Sequence, residues 1–225
     1  MSARASSHPA SLRGFARALI GDRSGMAMVE FALCLPFVVT VAMTGAELTN
    51  YTTTKMRMSQ IALHVADNAS RIGTGTVLSN KTISEAQIND LLTGAELESG
   101  RLDVNARGRI ILSSLEPMAN PNTTDQYKIR WQRCSGSKAW TSHYGTAGQT
   151  NLTGITVNGQ LLKAPANGAV MFVELAYDYR PLISVSFVRK TLITEVAAMT
   201  VRDQRDYAGG TNGIYNTEAV TPATC

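Results

Sequence analysis

Between Met26 and Ala46 the chain runs 21 residues with a single charge, Glu30, and nothing else in the sequence restricts its fold as strongly. A helix needs about 20 apolar residues to cross a hydrocarbon layer about 30 Å thick. The run therefore predicts a transmembrane helix over residues 26–46. A carboxylate near the centre of such a span costs about 2.5–3.5 kcal/mol on insertion scales, and less near an edge. Glu30 is therefore a candidate functional residue, and its partner is the question the sequence poses.

Charge places the flanks. The chain has a formal net charge of +4, and residues 1–25 hold +3 of it through Arg4, Arg13, Arg17 and Arg23 against Asp22. The rest is nearly neutral, which leaves no electrostatic footprint for nucleic acid. An arginine excess before the span orients the N-terminus to the cytoplasm and the remainder outward. Residues 1–25 read as a cytoplasmic leader. A secretory signal released after Ala46, at Thr44-Gly45-Ala46, is a competing reading, as is an uncleaved anchor carrying an outer binding domain.

The helical pattern continues past the span. Tyr51, Met58, Ile61, Ala62, Val65, Ala69 and Ile72 recur at three- and four-residue spacing, so residues 47–73 form an amphipathic continuation. Pro36 removes one backbone hydrogen bond within it, which membrane helices tolerate, and Gly73-Thr74-Gly75 ends it. A short helix follows, with Ser84 and Gln87 spaced as a capping box and Gly94 as its stop.

Beyond Gly100 the period changes to two. Tyr127, Ile129 and Trp131 alternate with Lys128, Arg130 and Gln132 as a half-buried strand, and residues 171–179, 110–114 and 192–201 supply three more. Asn158-Gly159 and Asn167-Gly168 carry hairpin-turn signals. Residues 203–224, rich in Gly, Asn and Thr, read as loop. The fold class is α+β: a long N-terminal membrane-spanning and amphipathic helix packed on a small antiparallel sheet, with residues 74–225 as the β-rich globular domain.

Three cysteines are present. Cys34 lies in the span and reads as a small apolar residue. Outside the cytoplasm Cys134 and Cys225 can be oxidised, and a bridge between them closes a loop worth about 4–5 kcal/mol in the chain-entropy picture. Two free thiols are the alternative. His64, beside the helix stripe, reads as a packing or interfacial histidine. Ser135, Ser137, His143 and Tyr144 form no nucleophile motif, so the chain reads as non-enzymatic. Asp203, Asp206 and Asn212 lack calcium-loop spacing, and neither a metal site nor a cofactor is expected.

The segment Arg23-Ser24-Gly25-Met26-Ala27-Met28-Val29-Glu30-Phe31-Ala32-Leu33-Cys34-Leu35-Pro36 resembles the type IV pilin superfamily, and more narrowly the TadE/TadF-like minor pilins of tight-adherence (Flp) pili. The resemblance is strong over residues 23–70. It is diffuse beyond, at Ile129–Cys134 and Val173–Tyr177. It implies cleavage by a prepilin peptidase between Gly25 and Met26, leaving Glu30 fifth in the mature chain and facing the N-terminal amine of a neighbouring subunit. Phe31 and Pro36 belong to the same recognition and helix motif. Implied partners are the peptidase, major and minor pilin subunits and the inner-membrane assembly platform. The implied location is the bacterial inner membrane with the C-terminal domain in the periplasm, and an extracellular pilus after assembly. Met26 replaces the phenylalanine of many type IV pilins, and Phe31 stands where major Flp pilins have tyrosine. The chain is also much longer than those major subunits, so the resemblance points to a minor one.

Overall fold

A computed structural model describes residues 20, 24–76, 78–183 and 191–225. Most of the basic N-terminal segment expected to be a leader, including Arg4, Arg13, Arg17 and Arg23, lies outside the described residues. The chain divides into two compact units, residues 1–48 and 49–225. Helix α1 runs without interruption from Ser24 to Arg71, through Pro36. In the first unit its side chains are exposed on every face: Met28, Phe31, Leu33, Phe37 and Val41 are each more than 60% accessible. Thr40 and Thr44 bond their hydroxyls back to the Pro36 and Thr40 carbonyls, at 2.6 and 2.8 Å. Both hydroxyls are thus satisfied within the helix.

From residue 49 onward α1 behaves as a globular helix. Met58, Ile61, Ala62, Val65 and Ala69 are buried, with Tyr51 and Ile72 packed against the same core. This is the stripe predicted by the spacing. Gly73, at φ +132°, then turns the chain. Strand β1 (Ile83–Ser84) leads into α2 (Glu85–Ser99), whose N-terminus carries the full capping box of Ser84 and Gln87. The helix does not stop at Gly94. A side chain there would meet nothing within 4 Å, so this glycine occupies an open face and needs no special backbone. Gly100, at φ +50°, ends α2 instead.

After a 3-10 turn (Gly100–Leu102) and the short α3 (Val104–Arg107), four strands build the main sheet: β2 (Gly108–Pro117), β3 (Tyr127–Ser135), β6 (Val170–Asp178) and β7 (Leu192–Thr200). Their order is β3-β2-β6-β7, antiparallel throughout. The Asn158-Gly159 turn joins β4 (Ile155–Val157) to β5 (Gln160–Leu162) as a two-residue hairpin, both turn residues at positive φ. Asn167-Gly168 makes no hairpin. It is a turn closed by Gly168 N–H donating to the Pro165 carbonyl, and β5 and β6 do not pair.

Two features of the sheet depart from the alternation pattern. Ser114 faces Trp131 but Leu115 faces Ile129, so Arg130 is the extra residue of a β-bulge. One inserted residue flips the side-chain face. Trp131 therefore joins the core beneath α1, while Tyr127 and Ile129 join a second core on the opposite face. That second core also holds Leu115, Ile155, Val170 and Phe172. It exists because residues 136–169 fold back over the sheet, so β6 is buried on both faces over most of its length.

Residues 203–224, expected as loop, carry β8 (Ile214–Tyr215), which pairs in parallel with β1. They also place Arg205, 4% exposed, at the end of α1. Its Nη2 donates to the Ala69 and Ile72 carbonyls at 2.6 and 3.0 Å, filling acceptors that a helix C-terminus leaves open. Cys134 and Cys225 form a disulfide across a sequence separation of 91. The Cys134 N–H donates to the Ala223 carbonyl at 2.7 Å, so the tail runs along the outer side of β3. The other half of that edge is met by residues 148–152, through Tyr127 with Leu152 and Ile129 with Gln149.

The bridge makes a direct stability prediction. Cys225→Ser lowers unfolding free energy by about 2–5 kcal/mol, read as a shifted denaturant midpoint of the full chain in detergent under non-reducing conditions. An unchanged midpoint would count against a stabilising bridge.

Candidate functional site

Gly25, Met26, Glu30, Phe31 and Pro36 all lie on the first part of α1. At 1.5 Å per residue, Met26 and Glu30 are about 6 Å apart along the axis and, as an i,i+4 pair, share a face. Glu30 is exposed and makes no ion pair among the described residues. Met26 is 59% and Phe31 66% accessible. A Cβ on Gly25 would meet nothing within 4 Å. Glycine inside a helix costs about 1 kcal/mol relative to alanine, and neither φ nor packing asks for it here. Cys34 is a free, exposed thiol on the same helix.

The globular unit holds its own charged groups. Glu85 opens α2 and takes a forked bond from Arg133 on β3, Nε to Oε2 at 2.8 Å with Nη2 on the other oxygen. Both side chains are almost wholly buried. Cutting one side of such a pair costs about 3–5 kcal/mol, so it ties α2 to the sheet next to the disulfide. His64 on α1 bonds Glu98 on α2 through Nδ1. Among the expected loop carboxylates, Asp203 pairs with Lys81 at 2.7 Å, and Asp206 accepts from the Tyr215 hydroxyl and the Ala208 and Gly209 amides. Asp206 thus organises a turn. Arg71 pairs with Asp67 one turn earlier on α1.

Two of the clefts against the sheet hold ionisable side chains. One, of about 420 Å³, is lined by Trp140, His143, Tyr144, Glu174 and Glu195. Trp140 and His143 rings lie 4.4 Å apart and tilted. Glu174 is 3% exposed and accepts from the Ser142 hydroxyl and from the His143 amide at 3.0 Å. Burial pushes its carboxyl above the usual range, against those two bonds. The other, of about 490 Å³, lies where β2, β3 and residues 204–208 meet and is lined by Glu116, Lys128, Arg130, Arg205 and Tyr207. Burial also raises Glu116, while Arg130 opposes it, and raises the Tyr207 phenol to about 12.

Glu174 escaped the sequence reading although its signal was present. A lone acid inside the apolar strand 170–177 is the same anomaly as Glu30 inside the apolar helix. Arg205 left no comparable trace, because its acceptors are carbonyls more than 130 residues away in sequence.

Glu174 has a pH signature. A carboxyl raised in the folded state binds more protons there than in the unfolded chain, so stability falls as pH rises from 4.5 through the raised value. Glu174→Gln lacks this dependence. The melting-temperature difference, wild type minus Glu174→Gln, therefore declines between pH 4.5 and neutrality. A difference that is constant over that range would contradict the raised carboxyl.

No protein-family model, curated protein or solved structure matches the chain.

Proposed function

We propose that the chain is a non-enzymatic minor pilin of TadE/TadF type, anchored in the inner membrane by α1 and cut by a prepilin peptidase between Gly25 and Met26. It then takes part in assembly or initiation of a tight-adherence pilus, beside other pilin subunits and the assembly platform. One observation carries this reading: residues 26–46 form a helix that is apolar and exposed on every face, and Glu30 is its only charge. Length and composition fit a membrane anchor or a signal segment equally. What favours a pilin is the carboxylate, one helical turn from Met26, next to a glycine that the fold does not need.

The chemistry follows from desolvation. In a bundle of packed helices a buried carboxylate needs a cation. Residues 26–46 contain none. Cleavage creates one, the α-ammonium of Met26, and the same group on a neighbouring subunit completes the pair. A neighbour displaced by a helical turn leaves both charges uncompensated, so the pair selects register. The globular unit, carried outside the cytoplasm, is suited to an oxidising compartment by its disulfide.

Mass spectrometry of the mature N-terminus tests the cleavage. The expected start is Met26. An intact leader would establish an uncleaved anchor, and a start at Glu47 a secreted factor. Gly25→Ala blocks processing and assembly, and normal pili in that variant would overturn the peptidase assignment. Glu30→Ala inserts normally but enters sheared filaments at least about tenfold less, because breaking one side of a buried pair costs about 3–5 kcal/mol. Wild-type incorporation would remove Glu30 from assembly.

A further inference from the structure

The cleft of about 490 Å³ between β2, β3 and residues 204–208 carries more positive charge than the fold consumes. Lys128, Arg130 and Arg205 supply three cations against Glu116 and Asp206. Asp206 is fully engaged by Tyr215 and two amides. Arg205 is buried with no carboxylate bound: Nη2 serves the carbonyls of α1, Nη1 reaches the Met171 sulfur at 3.9 Å, and Nε has no partner. Lys128 makes no ion pair among the described residues. Arg130 meets Glu116 at only 3.4 Å, beyond the usual limit of about 3.2 Å for an N–H···O bond, and its Nε is also unpartnered.

Arg130 is the inserted residue of the β-bulge, a device that re-aims a side chain at a sheet margin. Lys128 and Arg130, two residues apart on β3, both line the one cleft. A guanidinium fork beside an ammonium matches a planar oxyanion. The surplus of one positive charge fits a monoanion, whereas a phosphate dianion would overfill it and face Glu116.

We propose that this cleft binds a carboxylate, with Arg130 and Lys128 as its direct donors and Arg205 as the fixed charge behind them. The carboxylate comes either from a small free acid or from an acidic side chain of a polypeptide. Glu116 gives Oε1 to the Ser114 hydroxyl at 2.9 Å and Oε2 to Arg130 Nη1 at 3.4 Å, so a ligand has to draw the fork away from one long contact only.

The test is a titration of the full chain in detergent, read on the side-chain Nε–H signals of Arg130 and Arg205. Sodium acetate, inorganic phosphate and sodium chloride are compared at matched ionic strength, together with an end-blocked glycine pentapeptide carrying one central glutamate. Saturable shifts with acetate assign the site to small carboxylates, and saturation by the peptide alone assigns it to a polypeptide side chain. Either supports the proposal. Lys128→Gln and Arg130→Gln each weaken binding about tenfold, the second read on Arg205, while Lys163→Gln, at an exposed pair outside the cleft lining, leaves it unchanged. Shifts no larger than those from chloride, tighter binding of phosphate than of acetate, or equal effects of Lys128→Gln and Lys163→Gln would each overturn it.

Discussion

A single helix carries two kinds of apolar surface, one on every face and one confined to a stripe, and the globular part of the structure is arranged around the second. Over residues 26–46 α1 is apolar on all sides and nothing in its own unit covers it. From residue 49 it is apolar on one side only, and that side is buried. The backbone is the same in both halves. What changes is the distribution of polar residues around it, which decides where hydrophobic surface is removed from water. The sheet exists as a platform for the second half. Its strands present Ile110, Leu112, Val173 and Leu175 to the same core as Met58, Ile61 and Val65.

The end of α1 shows how that platform is secured. A helix of this length terminates in carbonyls that would be buried without donors. Arg205 supplies two hydrogen bonds to them and brings a positive charge to the negative end of the helix dipole. That charge is buried, and burial works against it. The carbonyls compensate part of the cost, and the nearby Tyr207, Asp203 and Glu116 also favour the charged form.

The helices and the main strands were legible because their signals are local. The stripe from Tyr51 to Ile72, the capping box at Ser84 and Gln87, the Asn158-Gly159 hairpin and the two outer cysteines each declare themselves within a few residues or by chemistry alone. Gly94 misled because glycine stops a helix only where a positive φ is needed, and the open face of α2 needs none. The bulge at Arg130 misled because Tyr127, Ile129 and Trp131 alternate perfectly in sequence while Trp131 turns to the other face in space. Arg205, β8 and the second core depend on partners far along the chain, which no short window contains. Of the candidate site, the helix segment with Glu30 was readable from its pattern, whereas the clefts against the sheet were not.

The disulfide and the tail give the main sheet a sense of direction. Along β3, residues 148–152 and Ala223 occupy the outer backbone groups, and Cys134 locks the tail in place. Among the described residues no strand pairs with the outer side of β7. One margin is thus closed by a covalent bolt together with residues 148–152. A strand added on that side would have to displace both the bolted tail and that segment before it reached β3.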